Sequence, residues 1–192
     1  TTTITFDSSA IVGAGNTIGN DWWWQGLKNI TYTKKIVASD DKIEVDGIYY
    51  NIIDPIQKTV AVTYKGNNCH EYKDEYVGEV VIPETITYNG STYSVTEIAD
   101  LAFAYCKNLT TVTLGNNITT IGEYGFFFCN NLTSVVIPES VRSIKDQAFR
   151  GTSIKSATIA THTTYGSSVF NECHNLSDVT IEDGVTTIPD WT

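Results

Sequence analysis

The amino-acid sequence predicts a β-rich repeat solenoid, built of short strands, turns and short helical pieces, with a β-hairpin segment inserted into it. Three observations point there. A block of alternating apolar and hydroxyl-bearing residues recurs at residues 109–114, 132–137, 154–159 and 176–181. An aromatic residue precedes each block: Phe103, Phe126, Phe149 and Phe170. A fixed period in this range means that each unit buries its apolar face only against its neighbours. Lastly, Asp46-Gly47 and Asn89-Gly90 sit between alternating aromatic, apolar and Thr residues, the pattern of two-residue hairpins.

Along the chain, residues 1–35 read as a divergent repeat segment. Leu27-Lys28-Asn29-Ile30-Thr31-Tyr32 aligns with residues 154–159, Thr3-Ile4-Thr5-Phe6 with residues 111–114, and Trp23 or Trp24 takes the aromatic slot. Residues 36–79 read as a hairpin-rich spacer or cap. Ile43, Val45, Ile48, Tyr50 and Ile52 alternate, then Val60, Val62 and Tyr64, and residues 65–76 are expected to be a loop. Residues 80–192 read as the repeat array. Its first coil holds Ile82-Pro83 and the Asn89-Gly90 hairpin.

The next coil supplies the template. Leu109, Val112, Leu114, Ile118, Ile121, Phe126, Cys129 and Leu132 should face inward, followed by Val135, Ile137, Pro138, Val141, Ile144, Ala148, Phe149 and Ile154. Phe103, Phe126 and Phe149 are spaced by twenty-three, but Phe149 and Phe170 by twenty-one, so that coil is shortened. Thr186-Thr187-Ile188-Pro189-Asp190-Trp191 repeats the pattern of residues 119–124 without the anchor that should follow, and the natural protein is expected to continue.

Ile137-Pro138-x-x-Val141-x-x-Ile144-x-x-x-Ala148-Phe149, with Ala102-Phe103-x-x-Cys106-x-x-Leu109, resembles the BspA-type leucine-rich repeat family of bacterial surface antigens. The resemblance covers residues 80–192 well and 1–35 loosely. It implies a leucine-rich-repeat solenoid in an exported or cell-surface protein, with adhesion to host proteins or to other cells as the role. Leu114-Gly115 and Ile159-Ala160 lack the usual Pro, and residues 161–168 form an irregular coil.

Composition narrows the classes. Asp plus Glu number 22 against 12 Lys plus Arg, a formal net charge of −10 over 192 residues. Nucleic-acid phosphates need a basic surface, so that partner is disfavoured, as is polybasic docking to lipid. No run of about 18 apolar residues exists to span a membrane. The absence of an initiator Met and a signal peptide makes a mature or trimmed product the expectation. Three of the four cysteines (Cys106, Cys129 and Cys173) hold one repeat slot, where the remaining coil has Gly151-Thr152, so the slot asks for a small, weakly polar side chain. Free buried thiols fit that better than disulfides.

Candidate binding residues are aromatic. Trp22, Trp23 and Trp24 cannot all enter one core, because adjacent strand residues face opposite sides. Tyr49, Tyr50, Tyr88 and Tyr93 on the hairpins are a second set, with packing between hairpins as the competing role. The outward strand columns read Glu79, Thr111, Ser134, Ser156, Asp178 and Val81, Thr113, Val136, Thr158, Thr180. They carry no Trp, Tyr or Arg, the residues that dominate binding hot spots.

Cys69-His70-Glu71 and Cys173-His174 are too far apart in the array for one tetrahedral metal site. Asp40-Asp41, Asp54 and Glu182-Asp183-Gly184 lack an EF-hand spacing and read as solvated turns. Six Asn-x-Ser/Thr sequons occur, at Asn29, Asn89, Asn108, Asn117, Asn131 and Asn175; three sit in the Asn-Leu-Thr/Ser step of the repeat, so fold geometry explains them better than N-glycosylation. The expectation is a non-enzymatic, monomeric surface module without cofactor or metal, binding a host or microbial protein or glycan. A structural spacer, or a carbohydrate-binding module using Trp22 to Trp24, are the alternatives.

Overall fold

The computed structural model describes residues 42–66, 68–69 and 75–186, all within the compact unit Lys42–Thr192. The readings made for residues 1–35, for Asp40-Asp41, for His70-Glu71 and for Trp191 lie outside the described residues.

Strands β1 (Ile43–Val45) and β2 (Ile48–Asp54) form an antiparallel hairpin. Asp46 and Gly47 at its tip have φ of 51° and 78°, the left-handed pair that a type I′ turn needs. The next turn is held by Asp54 Oδ1, which accepts the Ile56 and Gln57 amides at 2.7 and 2.9 Å. Strand β3 (Thr59–Thr63) then runs antiparallel to β2. Following β4 (Gly78–Val81), strands β5 (Thr85–Tyr88) and β6 (Ser91–Ile98) form the second hairpin. Its tip, Asn89-Gly90, has φ of 48° and 73°. Strand β6 also pairs in parallel with β3, so the hairpin segment continues a sheet of the array.

Each later coil gives a strand to two ladders. β7 (Leu109–Thr113) and β9 (Ser134–Val136) extend β4 as a parallel sheet. β8 (Thr120–Ile121), β10 (Ser143–Ile144) and β12 (Thr164–Tyr165) extend β6. β11 (Ser156–Ile159) and β13 (Asp178–Ile181) pair only with each other. The outward columns therefore stack as their spacing requires, except between Ser134 and Ser156 and between Val136 and Thr158, where no strand pairing occurs. Threonine hydroxyls add rungs: Thr119 to Thr96 O, Thr133 to Thr110 O and Thr164 to Arg142 O.

The third side of each coil was expected to be a short helical piece. Among the described residues it is instead a run of turns, without helix. The amides alternate in direction. Ala102, Ala104 and Cys106 bond within their own coil, while Leu101, Phe103 and Tyr105 donate to Glu123, Gly125 and Phe127 of the next. A helix would send every amide back to its own coil. The alternation puts two residues per coil in the left-handed region. Leu101, Tyr124, Gln147 and Ser168 hold the first position, and Tyr105, Phe128, Gly151 and Glu172 the second, with φ from 51° to 71°. Only Gly151 adopts this without steric cost.

Phe103, Phe126, Phe149 and Phe170 stack as a ring column through the core, with centroids 4.9, 5.2 and 5.7 Å apart and planes within 7°. Tyr76 caps the column 4.6 Å above Phe103. Its hydroxyl donates to Thr63 O at 2.6 Å and accepts from the Tyr49 amide, and burial pushes its pKa far up. Residues 65–76 are thus a loop as expected among those described, but one ending in a core residue.

The cysteine slot has a clear chemistry. Cys129 Sγ donates to Phe103 O at 2.9 Å and Cys173 Sγ to Phe149 O at 3.1 Å, while Thr152 Oγ1 reaches Phe149 O at 2.8 Å. A small donor there adds a second bond to the carbonyl of an anchor residue, which already accepts an amide of its own turn (Cys106 N to Phe103 O, Thr152 N to Phe149 O).

The inward template residues are buried as the pattern requires, except at Val135 and Pro138, which are half-buried, and at Ile137. Ile137 is 38% exposed, whereas its counterparts Ile82, Leu114 and Ile159 are 1%, 4% and 0% exposed. Its cover is missing because β9 and β11 have parted.

Candidate functional site

The surface with the most interaction chemistry lies on the anchor-turn face. Tyr105, Tyr124, Phe127 and Phe128 are all half-buried there. Phe127 is the hub. Its ring meets Phe128 edge-on at 4.5 Å, Tyr124 at 5.0 Å and Tyr105 at 5.5 Å. Tyr105 and Phe128 lie parallel at 6.3 Å. They hold the same left-handed slot of successive coils, which is why they line up.

A polar chain borders the rings. Gln147 donates to the Tyr124 hydroxyl at 3.1 Å, and Arg150 donates to Gln147 Oε1 at 2.7 Å. Arg150 also forks onto Glu172 Oε1 at 3.1 and 2.5 Å, and its guanidinium carbon lies 5.8 Å from the Phe127 ring centre. The patch is therefore aromatic, fixed in place and rimmed by one cation and one anion. That combination suits contact with a partner, since rigid rings and Arg lose little entropy on binding.

The hairpin tyrosines are not brought together into such a patch. Tyr50 is 1% exposed, and burial pushes its pKa up to about 12. Tyr49 and Tyr93 are partly buried against the core. Tyr88 is exposed near the β5–β6 tip. Among the described residues no ring contact joins any two of Tyr49, Tyr88 and Tyr93. The sequence missed the Tyr105–Phe128 cluster because these aromatics flank the anchor and occupy left-handed turn positions. Their only signal was the Phe126-Phe127-Phe128 run, of which the repeat explains one member.

Cys173 is bonded to Phe149 O and lies 3.3 Å from Thr152 Oγ1, and burial pushes its thiol up, away from the nucleophilic thiolate. Among the described residues no three His, Cys, Asp or Glu side chains converge to hold a metal.

Residues 66–192 match the BspA type Leucine rich repeat region in six copies. The chain belongs to the BspA-type leucine-rich repeat family. Several solved structures share its fold. A leucine-rich repeat protein from Bacteroides ovatus is 26% identical over 77% of this chain and 43% of its own, with a TM-score of 0.57. One from Bacteroides capillosus is 24% identical over 73% of this chain and 98% of its own, with a TM-score of 0.59. The pneumococcal vaccine antigen PcpA is 18% identical over 74% of this chain and 38% of its own, with a TM-score of 0.58. This BspA-type chain thus spans less than half of the Bacteroides ovatus protein and of PcpA. Comparison with curated proteins finds no significant match.

Proposed function

We propose that this chain is an exported cell-surface module that binds host or microbial macromolecules by contact along its coils. The Tyr105–Tyr124–Phe127–Phe128 cluster, with Arg150 at its rim, carries the reading, because a featureless strut has no use for four half-exposed rings, three of them on left-handed residues. Membership of a family of bacterial surface antigens supports the location, as does the fold shared with a protein described as a vaccine antigen. The role is non-enzymatic. Recognition falls to the anchor-turn face rather than to the outward strand columns, whose residues are mostly small and hydroxyl-bearing.

The test is a binding screen of the purified chain against host matrix proteins and a glycan array, alongside a Tyr124→Ser, Phe127→Ser double variant. Specific binding lost in a folded variant supports the reading. Absence of binding by the parent favours a spacer role, for which the small hydroxyl-bearing strand columns are the supporting observation. Retention by the variant moves the site elsewhere, with Trp22, Trp23 and Trp24 as the next residues to replace.

A further inference from the structure

The shortened coil leaves an opening in the stack. In the column Val95, Ile118, Val141, His162, set by the β6–β8–β10–β12 register, the first three are buried and His162 is exposed. In the adjoining column Ile98, Ile121, Ile144, Tyr165, the last apolar residue has become a tyrosine. The link from strand to column is nine residues from Leu109 to Ile118 and from Leu132 to Val141, but eight from Ile154 to His162. The break between residues 134–136 and 156–159 falls at this shortened coil.

The result is a wedge. The coils stay joined on one side through Ser153 Oγ to Asn130 O and on the other through Thr163 Oγ1 to Val141 O and Thr164 N to Arg142 O. Between these points no backbone hydrogen bond links β9 to β11. A cleft of about 320 Å³ opens there, floored by Phe149, Phe170, Ile144 and Ile154.

Both walls are strand edges. Leu114 N donates to Val136 O, so residue 136 faces β7 and residues 135 and 137 turn their main chain to the cleft. Ile159 O accepts Glu182 N, so Ser156, Thr158 and Ala160 face the cleft from the other wall. The Tyr165 hydroxyl takes over two of these groups, accepting from Ala160 N at 2.9 Å and donating to Thr158 O at 3.3 Å. Among the described residues, Val135, Ile137 and Ser156 have no such substitute. The rim carries Glu139 and Glu182, and neither is in an ion pair among the described residues.

We propose that this cleft is a second binding site, independent of the aromatic cluster, for a short extended peptide that bears an aliphatic side chain next to Lys or Arg. The β9 edge supplies main-chain pairing, as in strand addition to an open sheet edge. The apolar floor takes the side chain, and the volume, near the low end of ligand sites at roughly 300–1,000 Å³, admits a short segment only. The two rim carboxylates match the cationic neighbour.

The experiment is an NMR titration of the ¹⁵N-labelled full chain with a capped pentapeptide of alternating lysine and leucine, lysine at both ends. The expected result is saturable shifts at the Val135, Ile137, Ser156 and Thr158 amides. Replacing the lysines by glutamate should weaken binding at least tenfold, as should Glu139→Lys with Glu182→Gln in a chain whose spectrum is otherwise retained. N-methylation of the leucines should abolish the shifts, and Tyr124→Ser with Phe127→Ser should leave them intact. No shifts at millimolar peptide, shifts confined to the aromatic cluster, or equal binding of the N-methylated peptide would overturn the proposal.

Discussion

The Phe126 and Phe149 coils meet on all three sides, whereas the Phe149 and Phe170 coils meet on two and part on the third. At the closed junction β7 pairs with β9, β8 with β10, and the anchor turns exchange bonds from Tyr124, Phe126 and Phe128 to Asp146, Ala148 and Arg150. At the open junction the second ladder and the anchor turns persist, with Gln147, Phe149 and Gly151 donating to Ser167, Val169 and Asn171. Only the β9–β11 ladder is lost. One short link, one His in an apolar slot and one Tyr in place of Ile separate the two outcomes. A stack whose units touch only their neighbours localises such a change to a single junction.

Ring removal should separate the junctions most sharply. Phe126 is fully buried between two parallel rings, so Phe126→Ala should cost about 3–5 kcal/mol. Phe170 is 5% exposed, borders the cleft and stacks on Phe149 at the longest ring spacing of the column. Phe170→Ala should cost about 2–3 kcal/mol, because part of its surroundings is already open. Equal costs in urea denaturation would show the open junction to be packed as tightly as the closed one. A parent-like Phe126→Ala variant would overturn the coil register itself.

Alkaline stability contrasts the two ends of the described residues. Burial lifts the Tyr50 phenol to about 12, and Asp46 adds to the shift. A group whose folded pKa exceeds its unfolded value, about 10 for Tyr, contributes fully below pH 10. That contribution is lost as pH rises through 12, and totals about 2–3 kcal/mol. Tyr50→Phe should flatten the decline in unfolding free energy between pH 10 and 12. The Tyr165 phenol is also raised by burial, but it lies at the cleft, so Tyr165→Phe should flatten the decline less.

The second ladder depends on close approach, at Gly122 between the Phe103 and Phe126 coils and at Gly166 between the Phe149 and Phe170 coils. A Cβ at Gly122 would fall 2.6 Å from Asp100 N, the residue whose Oδ1 accepts the Glu123 amide. Gly122→Ala should cost about 2 kcal/mol by forcing the coils apart. At Gly184, below the open junction, the same methyl would meet only Thr161 Cγ2 at 3.6 Å. The φ of 93° there leaves a conformational cost of about 1 kcal/mol. Thermal melts that rank the pair the other way would refute the contrast.

The regular parts of this architecture were legible because they depend on period and on turn residues. Phe103, Phe126, Phe149 and Phe170 announce the ring column, and Asp46-Gly47 and Asn89-Gly90 announce their hairpins. Tyr76 was not legible as the cap of that column, since it stands twenty-seven residues before Phe103 rather than twenty-three. The left-handed Tyr105, Tyr124 and Phe128 defy the glycine signal by which such turns are recognised. Their strain is met by amides bonded to the next coil, a tertiary cause that no local pattern records. The shortening to twenty-one was visible, but its consequence was not. Nothing in the spacing tells which of three sides gives way, and Ile137 reads as a core residue until its neighbouring strand is placed.

The smallest expected effect tests how the open junction is held. The Tyr165 hydroxyl stands in for a strand partner by serving Ala160 N and Thr158 O together. Tyr165→Phe removes both bonds while keeping the ring, and should cost about 1 kcal/mol because water in the cleft can replace the hydroxyl. Tyr124→Phe, which removes one half-buried contact from Gln147 at the closed junction, should cost about 0.5 kcal/mol. Amide hydrogen exchange gives the finer reading. Val135 and Ile137 should exchange faster than Val112 and Leu114 in the parent chain, since their amides face the cleft. Ala160 should join the fast group only in Tyr165→Phe. Fast exchange of Ala160 in the parent would mean that the hydroxyl does not replace the missing strand. Slow exchange of all five amides would mean that β9 and β11 pair in solution and that the opening closes.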